Sequence, residues 1–222
     1  MAKLYTYVQS GNSYKVRLLA GLLGVELEEK EIDYIGDEQH TPPFLAINPK
    51  GEVPVLVDGD LVLTDSAAIL TYLAGTYGEK NTWWSEDLRE QAQIIDWLAF
   101  AASWIQYGVF TARAIVSFQG PYNGLGTESD ETSLREAKIR GVKSLEIVDG
   151  VLEGKEWLVL DRPTIADIAN FVYIALAPMG DIDLSPYKNI LAWIERIKAL
   201  PNFFPIQGLD NPDYRRDNPN QK

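Results

Sequence analysis

Cysteine is absent from this 222-residue sequence, and histidine occurs once, as His40. The first absence excludes disulfides, thiolate metal sites and a cysteine nucleophile. The second argues against histidine-centred metal or triad chemistry. Asp and Glu can ligate a hard cation, but neither a calcium-loop nor a clustered-carboxylate motif occurs, and no metal is expected. Positive charge is also short: 20 Lys and Arg stand against 32 Asp and Glu, a formal net charge of −12. So acidic a chain carries no footprint for nucleic acid or for anionic lipid, and an anionic ligand needs a local positive site. Long apolar runs are missing too. The most apolar late segment, "IADIANFVYIALAPMG", contains Asp167 and Asn170 and reads as a buried helix rather than a membrane span. The opening "MAKLYTYVQS" does not have the pattern of a secretory signal, so a cytoplasmic location is expected.

What remains is globular in composition: 46% of residues are hydrophobic and 11% aromatic. That argues against general disorder, and the length suits one large domain or two compact ones. "KLYTYV" reads as a strand with Tyr5 and Tyr7 on one face, and "YKVRLLAGLLG" as a helix ending near Gly24. "ELEEKEID" follows as a second strand. Further on, "VPVLVD" and "LVLT" flank the turn "DGD" as two more strands. A helix then opens at "DSAAILTYLAGTYG", with Asp65 or Ser66 as its N-cap. From about residue 85 onward the patterns are helical: "SEDLREQAQIIDWLAFAASWIQYGVFTARAIVSF", "ETSLREAKIRGVKSLEIVDGVLEG", "TIADIANFVYIALAPMG" and "NILAWIERIKALPNF". The turn-rich "QGPYNGLGTESDE" separates the first two as a flexible excursion. The boundary between the mixed half and the helical half falls near "GEKNTWW".

Three short stretches can carry chemistry. In "VQSGNSYKV", Ser, Gly and Asn between a strand and a helix are ordinary turn residues. Ser13 is a natural N-cap for a helix beginning at Tyr14. A hydroxyl here would also sit at a helix N-terminus, where unpaired N–H groups and the helix dipole favour an anion. In "NPKGEVPVL", Pro54 suits the first residue of a strand; the functional alternative is a cis Val53–Pro54 bond that turns the Val53 backbone toward a peptide-like ligand. In "TDSAAI", Asp65 and Ser66 are either capping residues or the receptor of a zwitterionic amino-acid head group.

Taken in order, "SGNSYKVRL", "NPKGEVPVL", "DGDLVLTDSAAILTYL", "RPTIADIANF" and "WIERIKALPNF" resemble the cytosolic glutathione transferase family, serine-type or a related bacterial or fungal class. The resemblance covers nearly the whole chain. It implies an α+β chain: an N-terminal thioredoxin-like βαβ-α-ββα domain over residues 1–80 that binds glutathione, and an all-helical domain over residues 86–222 that carries the electrophile pocket. In "RPTIADIANF" it implies Thr164 as N-cap with Asp167 as its capping-box partner.

The resemblance also implies roles. Ser10 matches the catalytic serine, whose hydroxyl donates to the glutathione sulfur, and Asn12 and Ser13 are the alternatives in the same loop. Tyrosine activation from Tyr5 or Tyr7 is a minority reading beside packing on the strand face. Val53, with Pro54, pairs through its backbone with the cysteinyl unit. Asp65 and Ser66 hold the γ-glutamyl end, while Lys50, with Gln39 or His40 nearby, faces the glycine carboxylate. The aromatic and small residues of the first long helix have helical spacing, which residue by residue favours the core; Trp104, Tyr107, Phe110 and Arg113 are the subset that could instead edge an electrophile pocket along it. The implied activity is conjugation of glutathione thiolate to apolar electrophiles in detoxification, with a possible glutathione-dependent peroxidase side activity. The nucleophile comes with glutathione, the co-substrate. A homodimer is implied, with Asp96 reaching the neighbour's γ-glutamyl group. The competing reading is a non-catalytic ligand carrier or protein-interaction module on the same fold.

Overall fold

The computed structural model describes residues 1–118 and 129–215. Most of the turn-rich segment after Phe118, residues 119–128, lies outside the described residues. The chain opens β1 (Lys3–Thr6), α1 (Gly11–Leu23) and β2 (Glu28–Glu31), then a 3₁₀ turn at Glu38–His40 and the short α2 (Pro42–Leu45). It continues through β3 (Val55–Asp58), β4 (Leu61–Leu63) and α3 (Ser66–Tyr77). The strands form one sheet in the order β2-β1-β3-β4, with β1 and β2 parallel and the other pairs antiparallel.

Alternation along β1 explains why this sheet is covered on both faces. Leu4 points to one side and is buried with Leu56 against Leu18, Leu19 and the α3 residues Ile69, Leu70 and Leu73. Tyr5 points to the other, meeting Phe44 edge to face at 6.0 Å, in a smaller cluster with Ile32 and Val55. β2 is exposed throughout, and its row of Glu and Lys is the kind of charged edge that discourages pairing with another chain.

The second half is helical: α4 (Leu88–Phe100), a π-helical stretch over Ala101–Phe110, α5 (Thr111–Phe118), α6 (Glu131–Val151), α7 (Ile165–Ala175), a 3₁₀ turn at Ala177–Gly180 and α8 (Lys188–Lys198). Every residue of α7 is buried, so this helix is the axis of the second half. Thr164 and Asp167 form the reciprocal capping box that the sequence implied, and Asp167 also accepts from the backbone N–H of Leu158 and from the indole of Trp193. Among the described residues, no helix is long and apolar enough to cross a membrane.

Two local expectations need correction. The first helix starts at Gly11 rather than Tyr14, and its N-cap is Ser10 rather than Ser13. Ser10 has extended backbone and its hydroxyl oxygen accepts from the N–H of Ser13 at 3.2 Å, so Gly11, Asn12 and Ser13 become the first helical turn. The long helix after residue 87 is not uniformly α: its middle turns widen over Ala101–Phe110, and the Thr111 hydroxyl donates to the carbonyl of Gln106, five residues back. Gly108 in this stretch lies so close to Gly141 of α6 that a Cβ would fall 2.7 Å from the Gly141 nitrogen.

Candidate functional site

The site is assembled where β1 ends and α1 begins. The β1/β3 register pairs Lys3 with Val57, Leu4 with Leu56 and Tyr5 with Val55. Continued by two residues, it carries Val53 and Pro54 alongside the segment that leads to Ser10. The Val53–Pro54 peptide is cis. Upstream of it, buried Asn48 organises the loop: its side chain donates to the Glu52 carbonyl at 2.7 Å and accepts from the Lys50 N–H at 3.1 Å.

Lys50 is exposed and donates through Nζ to the Thr64 carbonyl at 2.7 Å, which ties it to the entrance of α3. There Asp65 is the N-cap, accepting from the Ala67 N–H at 2.8 Å, with Ser66 as the first helical residue. Gly51, at φ 62°, turns the chain beside His40; a Cβ there would fall 2.6 Å from the imidazole Cδ2. His40 Nδ1 is 2.6 Å from Asp37 Oδ1. Gln39 is buried, donates to Asp37, and its carbonyl oxygen Oε1 has no hydrogen-bond partner among the described residues. Gln39, His40, Lys50, Val53, Pro54, Asp65 and Ser66 therefore lie on a chain of adjoining loops, joined by the contacts of Gly51 and Lys50.

The three polar residues of the α1 entry differ in what they have free. Ser10 is half-buried and uses a lone pair to cap the helix, so its O–H proton is not committed to any described group. Asn12 is half-buried, with Oδ1 accepting from Lys15 Nζ at 2.9 Å. Ser13 is fully buried and faces inward, where its hydroxyl oxygen accepts from the Tyr7 N–H at 3.4 Å. The phenol of Tyr7 donates to Gln9 Oε1 at 2.8 Å and its ring stacks on Tyr34 at 5.0 Å, while Tyr5 packs on Phe44.

The helical half closes over this entry. Tyr173 of α7 lies against Gly11, where a Cβ would come 2.4 Å from Cε1 of the ring. Gly11→Ala should therefore displace either the Tyr173 ring or the first turn of α1. A loss of about 1–3 kcal/mol, the range for overpacking a filled site, is expected in thermal unfolding, together with reduced activity. Arg113 of α5 is 3% exposed; it donates to the Gln9 carbonyl and to Met179 Sδ, both at 3.4 Å, and covers the Phe118 ring at 4.6 Å. Among the described residues it has no carboxylate partner, and burial lowers its pKa to about 10.

Phe110 is half-buried and meets Tyr173 at 4.6 Å. Trp104 and Tyr107 are exposed, with Trp104 stacked on Phe100 at 5.9 Å. Arg113 and Phe110 thus come close to the α1 entry through Gln9 and Tyr173, whereas no described contact joins Trp104 or Tyr107 to it.

Sequence reasoning missed several participants. Lys15 appears as one more charge in a helix, yet it is only 4% exposed. Asn48 sits in a quoted motif without a role. Tyr214 and Gln207, far along the chain, both contact the Gln9 side chain, and the Tyr14 hydroxyl donates to the Phe204 carbonyl at 2.6 Å. None of these had a local signal in the sequence: Lys15 reads as a solvated helix charge, and its burial follows from packing against α7. Among the described residues no group of three or more metal-ligating side chains comes together.

Comparison with known proteins identifies the family of this fold. Residues 1–75 match the family model described as glutathione S-transferase, N-terminal domain, and residues 93–201 match glutathione S-transferase, C-terminal domain. Glutathione S-transferase D7 of Anopheles gambiae is 33% identical over 195 residues, covering 88% of this chain and 85% of the relative. The crystal structure of a glutathione S-transferase from Pseudomonas fluorescens superposes with a TM-score of 0.83 at 31% identity, over 93% of this chain and 98% of that one. A glutathione transferase homologue from Drosophila mojavensis with bound glutathione gives 0.78 at 26% identity, over 90% of each chain. The chain belongs to the glutathione S-transferase family. It is a glutathione transferase, an enzyme with glutathione as co-substrate.

Proposed function

We propose that this transferase conjugates glutathione to apolar electrophiles by stabilising the thiolate at the α1 entry, with Ser10 as the main donor to sulfur. One observation carries the assignment: Ser10 caps α1 as an acceptor and keeps its proton to give. Ser13 is also an acceptor, but it is fully buried and faces the Tyr7 N–H rather than the half-buried entry, and the Tyr7 hydroxyl is committed to Gln9. A thiolate placed here meets a hydroxyl donor and the positive end of a helix, which together favour the anion over the thiol. The reaction needs no protein nucleophile, because the sulfur attacks the electrophile and the enzyme contributes anion stabilisation and positioning.

The adjoining loops support the rest of the assignment. Val53 offers its backbone to the cysteinyl unit, Asp65 and Ser66 hold the γ-glutamyl end, and Lys50 with Gln39 and His40 forms the positive and polar rim for the glycine carboxylate. Phe110 and Arg113 supply the inner wall of the electrophile pocket, with Trp104 and Tyr107 on its outer approach. A serine-type mechanism accords with the free Ser10 proton. The division of labour follows the two halves, residues 1–80 for glutathione and 86–222 for the electrophile. The test compares Ser10→Ala with Asn12→Ala in conjugation of a neutral aromatic electrophile: Ser10→Ala should lose most of the rate, and loss confined to Asn12→Ala would overturn the assignment.

A homodimer in the cytoplasm is part of the same reading. Its support is the exposure of Val62, Tyr77, Leu88 and Ile95, apolar side chains on β4, α3 and α4, beside exposed Asp96. Sedimentation at micromolar concentration should give twice the 24.9 kDa chain mass; a monomer would remove both the dimer and the cross-subunit role of Asp96.

A further inference from the structure

Lys15 is buried on α1, and its ammonium makes one side-chain hydrogen bond, to Asn12 Oδ1 at 2.9 Å. Among the described residues its other neighbours are the Tyr173 ring, with Nζ 4.8 Å from the centroid, and the Asp65 carboxylate, which favours the ammonium from beyond ion-pair distance while burial opposes it. No carboxylate among the described residues lies within ion-pair distance of it. Burying an ammonium with so little compensation is costly, and an apolar side chain of similar length would serve the core better. The charge therefore calls for a reason other than stability.

The chemistry of the contact supplies one. Lysine is a donor with no acceptor, so the Asn12 atom turned toward it must be the oxygen. The amide is planar, which directs Nδ2 the opposite way, and no described residue accepts a hydrogen bond from Nδ2. Asn12 is half-buried in the first turn of α1, two residues from Ser10. We propose that Lys15 is a positioning residue, which locks the Asn12 carboxamide so that its N–H₂ serves as a second donor to the glutathione sulfur beside the Ser10 hydroxyl. Without Lys15 the amide can flip and present oxygen to the thiolate, which repels it. This rests on the reading of the Ser10–Ser13 turn as the sulfur site.

The experiment is the pH titration of thiolate absorbance for glutathione bound to wild type, Ser10→Ala, Asn12→Ala, Lys15→Met and the Asn12→Ala, Lys15→Met double variant, with folding checked by circular dichroism. The proposal expects Lys15→Met to raise the midpoint by about one pH unit, near tenfold in thiol acidity. It expects the same substitution to add little in the Asn12→Ala background, since the effect runs through Asn12. An unmoved midpoint in Lys15→Met, or an equal rise with and without Asn12, would overturn it. If Lys15→Met does not fold, Asn12→Ala decides alone: a raised midpoint supports the donor role, and an unchanged one sinks it. Ser10→Ala separates the two levels. A shift there without one in Asn12→Ala removes only this inference, while no shift in either removes the sulfur site itself.

Discussion

Ser10→Ala should lower kcat/KM for glutathione conjugation by about 10²–10³-fold, the loss typical when one donor to a reacting anion is removed. The hydroxyl acts where negative charge is held on sulfur, and the buried Ser13 hydroxyl cannot replace it from its inward position. The same substitution removes the cap of α1, since the Ser10 oxygen accepts from the Ser13 N–H. Loss of an N-cap costs about 1 kcal/mol, so the protein should remain folded, with a melting temperature lower by roughly 2–4 °C. A calorimetric scan alongside the kinetics separates the two roles. Intact stability with full activity would show that the Ser10 proton is not the one given to sulfur.

The largest effect on stability is expected at Asp167, far from the sulfur. Its carboxylate is fully buried in the capping box of α7 and accepts from the N–H of Leu158 at 3.1 Å, the N–H of Thr164 at 2.9 Å and the indole of Trp193 at 2.9 Å, with the Thr164 hydroxyl at 3.3 Å. Burial pushes its pKa up to about 6 while these donors pull against the rise, so at pH 7 the group is ionised and satisfied. Asp167→Asn turns an N–H₂ toward either the Leu158 N–H and Trp193 indole or the Thr164 N–H, all of which can only donate. Leaving two or more buried N–H groups facing a donor costs about 1–3 kcal/mol each, which for a chain of this size is on the order of 10 °C in melting temperature. Because α7 also carries Tyr173 against Gly11, activity at 37 °C should fall with it. A melting temperature within 2 °C of wild type, taken against the ~2–4 °C per kcal/mol scale, would contradict this role for the network.

The elements best marked in the sequence are those whose signal is local. The capping box of α7 needs only Thr164 and Asp167 three residues apart, and the β3–β4 hairpin needs two apolar runs around Asp58, Gly59 and Asp60. The α1 entry was harder. Both Ser10 and Ser13 are good caps by residue type, so the local sequence does not choose between them, and the ring that lies against the first turn, Tyr173, is 162 positions after Gly11. The widening of the helix at Ala101–Phe110 had no signal in its apolar spacing, which reads alike for neighbouring helical periods. Most of the residues implied for glutathione could be named because they cluster in three short stretches. Lys15 could not, because a lysine in a helix ordinarily reaches water, and only the packing of α7 on α1 denies it that.

The central claim is that the α1 entry turns bound glutathione into its thiolate. Its most direct test is the ultraviolet thiolate absorbance of glutathione saturating the wild-type protein, titrated from acid to alkaline pH against the protein alone. The account predicts a midpoint well below the free-thiol value of about 8.5. Saturating binding with the midpoint left at the free-thiol value would contradict it.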